Sequence, residues 1–125
     1  MRRFALTLAL CSLLVAACGG DDDSGRTVTA PANVKLRVVA HEYSFDPSAI
    51  ELKGAGTLTL TLRNGGSLAH NLKVFRGDEE IGGTPTIPAG RSVAARLNLE
   101  HGRYRMVCTV GDHEQLGMHG ELLVR

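Results

Sequence analysis

Leu58, Leu60 and Leu62 alternate with Thr57, Thr59, Thr61 and Arg63. An apolar residue at every second position fits an extended strand with one buried face, because only an extended chain sends successive side chains to opposite sides. The same period returns further along. Leu68, His70, Leu72 and Val74 share one face of a predicted strand. Val93, Ala95, Leu97 and Leu99 form another inward set, and Tyr104, Met106 and Cys108 alternate with outward Arg103 and Arg105. Val34 to Ala40 reads as an opening strand, Ile50 as the centre of a short one, and Glu121 to Val124 as the last. Asn64-Gly65-Gly66 suits the positive φ values of a tight hairpin. Arg76 to Gly90 reads as a turn-rich loop, and Glu100-His101-Gly102 as a further turn. No segment carries a convincing helical period. The expected class is all-β: an antiparallel β-sandwich of about seven to eight short strands.

The residues before this pattern have a different character. Arg2 and Arg3 precede an apolar run from Phe4 to Ala17, which ends in the small residues Ala16 and Ala17. A charged start, an apolar middle and a small-residue end predict an export signal over residues 1–17. The run falls short of the roughly 20 apolar residues that span a bilayer. Val15-Ala16-Ala17-Cys18 resembles a bacterial lipoprotein processing box, which implies lipidation of Cys18. Residues 18–33 are polar, glycine-containing and aperiodic, as a flexible linker between anchor and domain would be. One domain is then expected over residues 34–125. The 125 residues suffice for a single domain and not for two. Fourteen Lys and Arg against 13 Asp and Glu give no field that would attract nucleic acid.

Export makes the cysteines informative. Cys11 falls in the signal and Cys18 at the lipid, so Cys108 is left without an intramolecular partner. An unpaired cysteine outside the cytoplasm points to intermolecular pairing, a reactive thiol or a metal thiolate. Cys108 opens a loop in which four residues separate it from His113, and four more separate His113 from Met118. Taken singly, each has an ordinary explanation: Cys108 as a small buried hydrophobe, His113 as a solvated loop residue, Met118 as core filler and His70 as a hydrogen-bonded core histidine. Taken together, a thiolate, two imidazoles and a weak thioether suit one copper ion with three strong donors near a plane. Gly111 and Gly117 would let the loop reverse twice. His119 follows Met118 directly and is a minor rival as ligand.

These residues carry a family resemblance. The domain resembles the cupredoxins, in particular the small plastocyanin- and azurin-like blue copper proteins. The resemblance lies in Tyr43-Ser44-Phe45-Asp46-Pro47, Asn64-Gly65-Gly66, Ala69-His70-Asn71-Leu72, Pro88-Ala89-Gly90, Gly102-Arg103-Tyr104, the Cys108 to Met118 loop and Met118-His119-Gly120. It implies a Greek-key sandwich with one type 1 copper ion at one end, ligated by His70, Cys108 and His113 with Met118 axial. It further implies that Asn71 hydrogen-bonds the segment after the cysteine, at Thr109. His113 would then reach the surface inside a small apolar rim of Val110 and Leu116.

The expected activity is therefore one-electron transfer rather than catalysis, between a redox-protein donor and acceptor, by a monomer. The protein would be anchored at the outer face of the cytoplasmic membrane, extracytoplasmic or periplasmic. A binuclear copper centre needs two thiolates in its loop, and structural zinc draws on more cysteine or histidine ligands. Cys–His nucleophilic catalysis needs an accessible thiol, against the inward setting of Cys108. Two alternatives stay open at this point: a copper storage or delivery module, and a metal-free surface adaptor.

Overall fold

The computed structural model describes residues 25–125, so the expected signal over residues 1–17 and the lipidation site Cys18 lie outside the described residues. Ten strands follow one another: β1 (Thr27–Pro31), β2 (Val34–His41), β3 (Ser44–Asp46), β4 (Ala49–Lys53), β5 (Gly56–Asn64), β6 (Lys73–Arg76), β7 (Glu79–Gly83), β8 (Ser92–Leu99), β9 (Gly102–Val107) and β10 (His119–Val124). They form a six-stranded sheet in the order β1-β4-β10-β9-β6-β7 and a four-stranded sheet in the order β3-β2-β5-β8.

The alternating leucines explain why the two sheets pack. β5 lies between β2 and β8, so its backbone is paired on both edges. Leu58, Leu60 and Leu62 are wholly buried, while the intervening threonines stay half-exposed. The six-stranded sheet answers with Ile50, Leu52, Val74, Tyr104, Met106, Leu122 and Val124 in the same core. Burying one such leucine is worth about 1.5–3 kcal/mol relative to leaving it in water. That gain holds two sheets together face to face.

The class expected from the sequence, a β-sandwich, stands, but several local expectations do not. Thr27–Pro31 are not linker: as β1 they pair with β4 in parallel register, and Ala30 is buried. The β-branched run Thr27-Val28-Thr29 suits a strand, and its polar composition hid it. The sandwich is not purely antiparallel, since β1–β4, β4–β10 and β2–β5 are parallel pairs. Period-2 patterning reports which face is buried and says nothing of a neighbour's direction. The expected loop from Arg76 to Gly90 contains β7, which forms a hairpin with β6.

The correction with most consequence falls at Asn64-Gly65-Gly66. This is no hairpin, because β5 and β6 belong to different sheets. The chain instead crosses the end of the sandwich. Buried Asn64 organises the crossing: its Nδ2 donates to the carbonyls of Leu68 (2.8 Å) and Ile87 (3.0 Å), and its Oδ1 accepts from Gly66 N (3.0 Å). Leu68 is consequently 44% exposed rather than inward. His70 sits in irregular chain held by a two-bond bridge to Ile87, and regular strand resumes only at Lys73. The second crossing, from β8 to β9, is tied by Tyr104, whose hydroxyl donates to Glu100 O (2.9 Å) and accepts from Glu100 N (3.0 Å).

Candidate metal centre

The crossing from β5 to β6 and the loop after β9 meet at one end of the sandwich, opposite the β8-to-β9 crossing. There His70, Cys108 and His113 come together, with their candidate donor atoms all within 4.8 Å of one another. Cys108 Sγ stands 3.5 Å from His113 Nδ1 and 3.9 Å from His70 Nδ1. The two imidazole centroids are 5.0 Å apart, at 57°. Cys108 and His70 are fully buried. His113, expected to reach the surface, is 7% exposed, with Tyr43 packed against its ring at 5.1 Å.

The loop reaches this geometry through its own backbone. Cys108 N donates to Met118 O (3.1 Å), Met118 N donates to His113 O (3.0 Å), and His113 N donates to Val110 O (3.1 Å). The loop thus closes on itself between its first and last residues. Gly111 and Gly117 take φ of 49° and 109°, values that side chains resist. Met118 is fully buried beside the cluster, whereas His119 is exposed on the first position of β10. Gly120 follows because a side chain there would collide with the Ser48 carbonyl. Leu116 stands on the loop's outer face, 51% exposed, and Val110 is half-buried.

Around the donors lies a set of hydrogen bonds. Asn71 Oδ1 accepts from Thr109 N (2.9 Å), and its Nδ2 lies 2.9 Å from Thr109 Oγ1 and 3.0 Å from Thr86 Oγ1. One residue is absent from the sequence reading. Glu42, just after β2, brings Oε1 to 2.8 Å from His70 Nε2, and the same oxygen accepts from Leu68 N (2.8 Å) and Ser67 N (3.0 Å). Its pKa is lowered to about 2, above all by the Leu68 N–H, with His70 and Ser67 N–H adding to it against a desolvation that opposes them. No spacing rule could have signalled Glu42, which stands 28 residues before His70 and meets it only through the crossing.

No family model matches this chain. Among curated sequences it is similar to receptor-type tyrosine-protein phosphatase F of Mus musculus and of Homo sapiens, 32% identical over 84 residues. That similarity covers 66% of this chain but spans only 4% of the length of those relatives. Solved structures align far more completely. Reduced auracyanin from Roseiflexus castenholzii matches with a TM-score of 0.69 at 19% identity, over 75% of this chain and 98% of that one. Auracyanin A, a blue copper protein from Chloroflexus aurantiacus, matches at 0.66 and 19%, over 77% and 100%. Rusticyanin from Thiobacillus ferrooxidans matches at 0.66 and 21%, over 82% and 87%.

The chain has the cupredoxin fold.

Within a cupredoxin fold the donor set can be tested against the ion it would hold. Donors about 2.0–2.3 Å from one metal ion, sharing a roughly trigonal plane, stand about 3.5–4 Å apart. The sulfur-to-nitrogen separations of 3.5 and 3.9 Å meet that requirement. One thiolate sulfur, two imidazole nitrogens and a neighbouring methionine form the soft, three-plus-one set that copper favours over zinc. The residues therefore fit one type 1 copper ion. His70 and His113 would present Nδ1, Cys108 its thiolate, and Met118 a weak fourth donor. Copper supplies a centre that changes charge by one electron. The chain supplies a preset cage: donors fixed by the loop closure, by the Ile87 bridge and by Asn71, and largely shielded from water.

Proposed function

We propose that this protein is a type 1 blue copper protein that carries one electron at a time between redox partners. The supporting observation is the convergence of His70, Cys108 and His113 donor atoms within 4.8 Å at one end of a cupredoxin fold. A cage whose donors are held by backbone and side-chain hydrogen bonds rearranges little when the metal changes oxidation state. Low rearrangement is what fast one-electron exchange requires. His113 is the donor that retains some exposure of the two histidines, and Leu116 offers an apolar contact nearby, which suits the small, quickly released interfaces of redox encounters. The burial of His70, Cys108 and His113 leaves a substrate little access to the metal position, which supports carriage rather than catalysis.

The residues 15–18 box supports a lipid anchor at Cys18, which would hold the domain at the outer face of the cytoplasmic membrane. The test of the central reading is spectroscopic. Copper-loaded protein is expected to show an intense visible thiolate-to-copper absorption, a narrow copper hyperfine splitting in electron paramagnetic resonance, and a reversible one-electron wave in voltammetry. Weak absorption with an ordinary copper resonance would reject it.

A further inference from the structure

Three nitrogens converge on a single oxygen of Glu42: the ring Nε2 of His70 and the backbone amides of Ser67 and Leu68. The carboxylate comes from the exposed turn just after β2, and its targets lie in the crossing that delivers His70. A neutral imidazole has one N–H to give. With Nε2 facing a carboxylate, the proton resides there and the lone pair is left on Nδ1, the atom that faces Cys108 Sγ. A carboxylate also differs from a neutral acceptor in charge. It raises the donor strength of the imidazole it holds and places a negative charge one ring away from the metal position.

We propose that Glu42 is a positioning residue of the metal centre: it fixes His70 as the Nε2–H tautomer and biases the site toward the more positive oxidation state of copper. The second half rests on the copper reading above, and the first does not. The crossing supplies the reason that this corner of the fold carries an acid. Ser67, Leu68 and His70 each bring a nitrogen to this corner, and one carboxylate oxygen gathers all three.

Two substitutions separate geometry from charge. Glu42→Gln keeps a carbonyl oxygen for the three donors and removes the charge, whereas Glu42→Ala removes both. In the metal-free full chain, 15N NMR of the His70 ring is expected to show the Nε2–H tautomer in wild type and E42Q, and a mixture in E42A. An unchanged tautomer in E42A overturns the positioning role, whatever the metal. In copper-loaded protein, chelator competition for Cu(II) and for Cu(I) is expected to show E42Q losing preference for Cu(II) by about tenfold or more. For a one-electron couple, tenfold corresponds to a potential raised by about 59 mV. A wild-type ratio in E42Q overturns the charge role. Wild-type protein without thiolate-to-copper absorption would instead defeat the copper reading, and the tautomer measurement would still decide the positioning role.

Discussion

Asn71 and Thr109 lie 38 residues apart in sequence and are joined by two bonds, Thr109 N to Asn71 Oδ1 and Asn71 Nδ2 to Thr109 Oγ1, each 2.9 Å. The pair ties the segment after His70 to the segment after Cys108, so two metal donors from distant parts of the chain share one brace. Asn71→Ala is expected to destabilise the metal-free protein by about 1–3 kcal/mol, since it strands a backbone N–H and two hydroxyls that had partners. Thr109→Ala keeps the N–H bond and should cost less, about 0.5–1.5 kcal/mol. Urea midpoints of the two variants check the order, and equal losses would mean the side-chain bond alone matters.

Cys108 supplies the thiol sulfur of the cluster it forms with His70 and His113. Cys108→Ser is expected to abolish the intense visible band of the copper-loaded protein while the domain stays folded. Absorption spectra before and after copper addition measure this. Colour that survives the substitution would remove Cys108 from the ligand set.

Met118 is fully buried and bonded through its backbone to both Cys108 and His113, which keeps it in place regardless of its sulfur. Met118→Leu fills similar volume without a thioether. The expected outcome is retained copper and a raised reduction potential, because a weak donor that favours the oxidised ion is lost. Voltammetry of both proteins is the check, and an unshifted potential argues against an axial role.

Leu60 is wholly buried at the middle of β5, between strands on both sides. Leu60→Ala is expected to cost about 2–5 kcal/mol through lost burial and an unfilled cavity. Thr59→Ala, on the half-exposed face, should change stability by about 0.5 kcal/mol or less. Comparable losses at the two positions would contradict the assigned faces.

The anchoring proposal makes its own forecast. Full-length protein expressed in a bacterium should fractionate with membranes, and Cys18→Ala should release it or leave it unprocessed. Wild-type protein found wholly in the soluble fraction would defeat the lipid anchor.

Much of this molecule was legible in its residues. The leucines of β5 and the alternation in β8 and β9 specify a half-buried sheet, because side-chain direction in a strand follows from backbone geometry alone. The ligand loop was legible for a similar reason: Cys108, His113 and Met118 are close in sequence, and two glycines mark where the loop must bend. Even so, the strand expected through Leu68 and His70 does not form. Its apolar alternation mimics a strand, but Asn64 spends its side chain on the crossing and turns Leu68 outward.

Sequence by itself determined the class of the fold, the inward set of most strands and the chemistry of the four donor side chains. Only the tertiary structure decided which strands run parallel, that residues 27–31 join a sheet, and that Glu42 grips His70. The division has one cause. Periodicity and loop spacing are imposed by the local backbone, whereas strand direction and a contact across 28 residues depend on where the chain crosses between sheets, and no short-range pattern encodes that choice.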